Sequence, residues 1–216
     1  MPKLSVHNLA ISLDGYAAGP NQSVDNPLGE GGERLHEWVF ETRFGRQMIG
    51  QDGGEEGIDN DFLERGFENI GAWIMGRNMF GPIRGPWGDE DWKGWWGDNP
   101  PYHCQVFVLT HHPRPPLTME GGTVFHFVDD DLDTVRARAL DATDGADVRI
   151  GGGANTVQQF MRARLVDDLH IPIAPVLLGG GERFFDHVED VNDAYECVDF
   201  VVSPAVAHAR LALKTS

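Results

Sequence analysis

Apolar residues in this chain fall into short runs at two spacings, and the alternation between them outlines the fold. Residues 4–11 are β-branched-containing, are bounded by the turn-forming Asp14-Gly15, and predict a strand. A Gly/Pro/Asn-rich loop follows over 19–32. Leu35, Trp38, Val39 and Thr42 then recur at helical spacing and predict a helix through about Met48. After an acidic, glycine-rich break at 50–57, Asp59 or Asn60 is placed to cap a helix carrying Leu63, Phe67 and Ile70 on one face. Residues 72–75, closed by Gly76, read as a buried strand. Further strands are expected at 105–109, 123–127 and 148–150, with a helix over 132–142. Gly151-Gly152-Gly153 leads into a helix whose Val157, Phe160, Met161 and Leu165 form one stripe. Residues 169–178 predict a long strand ended by Gly179-Gly180-Gly181, and 196–202 with 206–213 predict a terminal hairpin.

Strands alternating with helices imply a largely parallel sheet covered on both faces, made mixed by the final hairpin. Pro172 and Pro175 cannot donate to a ladder, so the long strand has to meet an edge, a bulge or a special pairing there. Between residues 80 and 101, Trp87, Trp92, Trp95 and Trp96 stand among Gly, Pro and Asp. That segment is too broken for a regular element and too aromatic for a disordered linker.

Composition narrows the class. With 216 residues and 41% hydrophobic content, one well-filled core is expected, hence a single domain over 1–216. The N-terminus runs straight into a strand, and no stretch approaches the roughly 18 apolar residues of a membrane span, so the expectation is a cytoplasmic protein without membrane contact. A net charge of −17 argues against nucleic acid as a partner. It leaves room for an anionic cofactor, because a few Arg side chains and backbone N–H groups bind phosphate locally. Cys104 and Cys197 read as buried reduced thiols in strands, not as a disulfide.

Three segments carry candidate chemistry. In Ile150-Gly151-Gly152-Gly153-Ala154-Asn155 a strand ends, glycines allow close approach, and a helix begins, which forms either a pyrophosphate cradle or a tight turn. Met75-Gly76-Arg77-Asn78 repeats the arrangement, with Arg77 in the first turn of a helix. A cation there opposes the helix dipole unless it faces an anion. Thr110, His111 and His112 end a third strand. Adjacent histidines on extended chain point to opposite faces, so no metal site is expected. The tryptophans offer a stacking platform, a lid or a dimer contact.

Taken in order, Ser12-Leu13-Asp14-Gly15-Tyr16-Ala17, Met-Gly-Arg at 75–77, Val-Leu-Thr at 108–110 and Ile-Gly-Gly-Gly at 150–153 resemble the dihydrofolate reductase superfamily. Leu165-Val166-Asp167-Asp168-Leu169 and the run from Ile173 to Gly179 are similar to the reductase domain of bacterial riboflavin-biosynthesis deaminase-reductases. The resemblance implies a three-layer α/β dihydrofolate reductase-like fold, NADPH as cofactor, a small-molecule heterocyclic substrate and a homodimer. It places Gly76, Arg77 and Asn78 at the cofactor's adenosine-side phosphates and Thr110 with His111 at its 2′-phosphate. Gly151, Gly152, Gly153, Ala154 and Asn155 fall at the pyrophosphate, Leu9 and Ala10 beside the nicotinamide, and residues 12–19 in a loop closing over it. The nearest implied reaction is reduction of 5-amino-6-(5-phosphoribosylamino)uracil, with a dihydrofolate or pterin reductase second and an inactive nucleotide-binding relative third. The catalytic acid of dihydrofolate reductases has Glu37, or else Glu41, as its candidate here, each read also as an exposed helix carboxylate. Ile150 stands where the riboflavin enzymes carry an acidic residue. A Rossmann site is disfavoured, since Asp14-Gly15-Tyr16-Ala17-Ala18-Gly19 lacks the glycine fingerprint.

Overall fold

The computed structural model describes residues 1–81, 85–88 and 92–214. The first predicted strand is split. Leu4–Val6 forms β1 and Ile11–Ser12 forms β2, separated by a bend in which Asn8 takes φ 57°. The bend has a visible cause. Arg149, 5% exposed, donates from its guanidinium to the carbonyls of His7 at 2.7 Å and Gly66 at 2.6 Å, drawing the chain off the ladder. The remaining strands are β3 (Tyr16–Ala18), β4 (Ile70–Gly76), β5 (Gln105–Leu109), β6 (Leu117–Thr118), β7 (Val124–Val128), β8 (Asp147–Gly152), β9 (Asp168–Ala174), β10 (Glu182–Arg183), β11 (Tyr195–Val202) and β12 (Ala207–Leu213).

The main sheet runs β11-β12-β9-β1-β8-β4-β5-β7-β6, with β2 also paired to β9. Pairings from β9 through β7 are parallel, whereas β12 and β11 form the antiparallel hairpin. The proline expectation for the long strand is met by a gap. Val6 pairs with Leu169 and Ile11 with Ile173, so on this side residues 170–172 face the bend, while on the other side they pair with β12. Pro172 lies there, and the Asn8 N–H donates across the gap to His170 Nδ1 at 3.4 Å. The strand ends at Ala174, before Pro175, instead of continuing to residue 178.

The helix expected over 35–48 is three pieces: a 3-10 turn at Gly32–His36, α1 (Glu37–Glu41) and α2 (Arg43–Met48). Thr42 breaks it, taking an extended conformation and accepting the Gly45 N–H on Oγ1 at 3.0 Å as a new N-cap. Helix α3 (Ile58–Arg65) starts after Gly57 and is capped by neither Asp59 nor Asn60. Asp59 instead binds Ser203 at 2.8 Å and His208 at 2.9 Å, and Asn60 accepts the Phe44 N–H. The set is completed by α4 (Arg77–Phe80), α5 (Leu132–Asp141) and α6 (Ala154–Arg162).

Strand periodicity divides the core. From β4, Ala72 and Ile74 pack with Val135 of α5 and Val157 and Phe160 of α6, while Trp73 and Met75 face Phe80, Val106 and Phe125 on the other side. Trp38, Leu63 and Val206 seal α1 and α3 against the hairpin. Full burial of such side chains contributes about 1.5–3 kcal/mol each. Of the two cysteines, Cys104 is half-buried and Cys197 is exposed on edge strand β11, which corrects the expectation of two buried thiols.

Candidate active site

Parallel strands deliver their carboxyl ends to one edge of a sheet. Here Met75 pairs with Gly152 and Gly76 with Leu109, so the ends of β8, β4 and β5 stand side by side. A cleft of about 1050 Å³ crosses them.

Its middle is bordered by Gly76, Arg77 and Asn78 on one strand end and by Gly151 to Asn155 on the other. Helix α6 follows Gly153 with no side-chain cap, so its first N–H groups and the positive end of its dipole face the cleft. Gly152 takes φ 144°, a conformation reserved for glycine, and a Cβ on Gly153 would stand in open space. Backbone is therefore open to an anion at Gly153, whereas Gly152 is buried against Met79 and Leu9. Gly76 is small for another reason, because a Cβ there would lie 2.3 Å from Thr156 Oγ1. Gly76→Ala is expected to push the first turn of α6 away from β4. Losing one amide–phosphate bond of about 1.4 kcal/mol would weaken a phosphate-bearing ligand held there roughly tenfold, with NADPH as the probe. Calorimetric titration checks this, and unchanged affinity would show that the first turn of α6 takes no part.

Arg77 borders the cleft, but its guanidinium lies over the Trp87 ring at 3.8 Å and Nη1 donates to the Gly85 carbonyl. Nε and Nη2 are shut off from solvent and have no partner among the described residues, and burial lowers the guanidinium pKa. A buried unpaired donor costs about 1–3 kcal/mol. An anion that drew the guanidinium off Trp87 would recover that loss.

At the β5–β7 end, Thr110 is buried, with its Oγ1 accepting the His112 N–H at 3.1 Å. His111 is exposed and its Nδ1 lies 2.7 Å from Asp129. Asp130 pairs with Arg138, and Asp131 caps α5 through the Thr134 N–H. The position expected to read a 2′-phosphate is thus flanked by three carboxylates, none of which the sequence pattern had marked.

Toward β1, Leu9 borders the cleft whereas Ala10 does not. The Ala10 side chain is fully buried with Leu35, Ala174 and Val176, because the bend turns it inward. The loop over 12–19 is pinned in place. Residues of β3 pair with β10, and Asp14 accepts from Ser12 Oγ at 2.6 Å, Leu178 N at 3.1 Å and Gly179 N at 2.7 Å. Led by the Ser12 hydroxyl, these bonds hold the Asp14 carboxyl down at about 2.

Glu37 and Glu41 are exposed and stand outside the cleft, which removes both as candidates for a catalytic acid. His36 is there instead, with its imidazole held neutral by burial. Nothing in the helical spacing singled it out, since it falls between the apolar positions 35 and 38. Trp95 and Trp96 border the cleft, and Trp96 is braced by Tyr102 at 5.1 Å, while Trp87 backs Arg77. Residues 89–91 of that segment lie outside the described residues. Among the described residues no helix is long and apolar enough to cross a membrane, and no three His, Cys, Asp or Glu side chains gather as a metal site.

The family model of the RibD C-terminal domain matches residues 4–205. No curated protein matches the sequence. Among solved structures, a protein assigned to riboflavin biosynthesis from Shewanella sp. PV-4 is 22% identical, with TM-score 0.62 and 100% of both chains covered. Dihydrofolate reductase from Enterococcus faecalis complexed with NADP(H) is 15% identical, with TM-score 0.53 over 99% of this chain and 97% of that one. A diaminohydroxyphosphoribosylaminopyrimidine deaminase/5-amino-6-(5-phosphoribosylamino)uracil reductase from Thermotoga maritima is 13% identical, with TM-score 0.55 over 99% of this chain and 57% of that one. At these identities the likeness establishes the expected dihydrofolate reductase-like fold.

Proposed function

Because the chain belongs to the RibD C-terminal domain family, we propose that it is an NADPH-dependent reductase of a small heterocyclic molecule. One observation carries the reading: the ends of β4, β5 and β8 border a single cleft beside the uncapped start of α6. The residues present suit a dinucleotide. Open backbone at Gly153 with the α6 amides would hold the pyrophosphate, and Nε and Nη2 of Arg77, which lack a partner among the described residues, would meet an oxygen of the 2′-phosphate. The family resemblance assigns Thr110 and His111 to the adenosine ribose and its 2′-phosphate and Leu9 to the nicotinamide, and all three border the cleft. When bound, the cofactor supplies a hydride to an electron-poor C=N or C=O carbon. The protein's part is to fix the two rings against each other and keep bulk water away.

The reaction named for the Thermotoga maritima neighbour is the nearest chemistry on offer, and pterin reduction is the next. A second reading is a relative that binds the nucleotide without turning over. Its support is that neither Glu37 nor Glu41 reaches the cleft. Arg77→Ala separates the possibilities. Loss of a charge-assisted bond of about 1.5–3 kcal/mol should raise the Kd for NADPH about 10–100-fold and that for NADH much less. Equal shifts for both cofactors would remove Arg77 from the 2′-phosphate, and absence of binding by either would remove the reading itself. NADPH binding without oxidation across pterins and aminopyrimidines would favour the non-catalytic relative.

A further inference from the structure

Trp87 is held like a platform, yet it does not border the cleft. Its indole N–H donates to the His112 carbonyl at 2.6 Å, which ties the ring to the chain just past the end of β5. Phe80 of α4 and Phe127 of β7 meet it edge-on at 5.8 and 5.3 Å, and the Arg114 guanidinium lies 4.2 Å from a ring centroid. None of these three neighbours borders the cleft either. Arg77 does, and its guanidinium lies 3.8 Å over the indole, the contact distance of carbon on carbon. Among the described residues it is therefore the Arg77 guanidinium that covers the ring on the cleft side.

That cover is lightly fastened. One bond, from Nη1 to the Gly85 carbonyl, holds the guanidinium, while Nε and Nη2 are buried without a partner among the described residues. A planar cation and a planar base fill the same space over an indole, and both are attracted to its face. Exchanging one for the other keeps the ring stacked and frees two N–H groups to reach an anion. On the reductase reading the adenosine ribose would lie at Thr110 and His111. The base joined to it would then come within reach of a ring bonded to His112.

We propose that the face of Trp87 now under Arg77 is a seat for a purine base, uncovered when a phosphate-bearing ligand draws the guanidinium away. The inference rests on the reductase reading above and adds to it the group that recognises the base. Trp95, which borders the cleft directly, is the rival platform. Trp87 is favoured because it alone combines an anchor at the β5 end with a cover whose own donors lack partners.

The test uses the full chain and begins with calorimetric titration of NADPH into the wild type. Adenosine, a purine without phosphate, and inorganic pyrophosphate, which has no ring, are then titrated into the wild type and its variants. Trp87→Leu should weaken adenosine roughly tenfold and leave pyrophosphate unchanged, and Trp87→Phe, which keeps a ring face, should recover most of the loss. Arg77→Ala vacates the seat, so it should tighten adenosine about threefold, and adding Trp87→Leu should abolish that gain. A side chain that merely shaped the cleft would not improve binding by being removed. Failure of NADPH to bind the wild type would sink the parent reading. With NADPH bound normally, four results would each overturn this inference alone: adenosine indifferent to Trp87→Leu, adenosine and pyrophosphate weakened alike by it, adenosine weakened or left unbound by Arg77→Ala, or adenosine lost with Trp95→Leu instead.

Discussion

Replacing Arg149 with methionine is expected to lower the free energy of unfolding by about 2–4 kcal/mol, because two buried carbonyls then lose their donor at about 1–3 kcal/mol each. Those carbonyls belong to His7 and to Gly66, which closes α3, and the guanidinium lies between Phe67 at 4.4 Å and Trp73 at 4.5 Å. Methionine fills similar space, so the cavity contribution stays small and the lost hydrogen bonds dominate. One effect runs the other way. Burial brings the guanidinium down to about 9, Nε has no partner, and no carboxylate offsets the charge, so its removal releases a desolvation cost. The charge nevertheless sits at the carbonyl end of α3, where the helix dipole favours it. Arg149→Lys, reaching one carbonyl at most, should fall between. Urea unfolding at pH 7 decides the matter, and a loss below 1 kcal/mol for the methionine variant would mean that the two effects cancel.

Acid should unfold the protein well before its carboxylates titrate. His7 is pushed down to about 3, chiefly by burial with Arg149 adding to it. His170 is likewise held neutral by burial, with His208 at 2.9 Å opposing its protonation. Both have folded values below the ordinary 6.5 of the unfolded chain, so below pH 6.5 the unfolded state binds more protons and stability falls as pH falls. Each group contributes a slope approaching about 1.4 kcal/mol per pH unit, or about 2.7 for the two, within a total stability on the order of 5–15 kcal/mol. For His7 the window closes near pH 3. His36 and His208 shift in the same direction and steepen the fall. Unfolding free energies measured from pH 8 to pH 4 should therefore drop steeply below 6.5. A curve flat down to pH 5 would show that these imidazoles protonate inside the folded protein.

What could be read from the residues was whatever local periodicity controls. The runs at 72–75, 105–109 and 132–142 became β4, β5 and α5 nearly residue for residue, since each buries one face at the spacing its own backbone dictates. The glycine-flanked ends of β4 and β8 were legible for the same reason. Long-range contacts were not. The bend at His7–Ala10 is imposed by Arg149, distant in sequence, and it determines that Leu9 and not Ala10 reaches the cleft. The break at Thr42 turns on a local choice between continuing a helix and capping a new one, which spacing alone does not resolve. His36 carried no motif, and its meaning comes from what surrounds it in space.

The gap in the sheet opposite Pro172 has a mechanical consequence. Strands β1, β8, β4, β5 and β7 form one continuous parallel platform beneath the half of the cleft at the ends of β4, β5 and β8. The other half hangs from β9 by the short ladder of β2 and from β10 by β3. A load on residues 11–18 is thus transmitted to β9 and, through Leu13 and Asp14, to residues 176–179, while the interval between is held by Asn8 to His170 and Leu63 and by Arg149 to the His7 carbonyl. Movement of residues 11–18 would therefore be borne by β9 and residues 176–179 and not by the ladders of the platform.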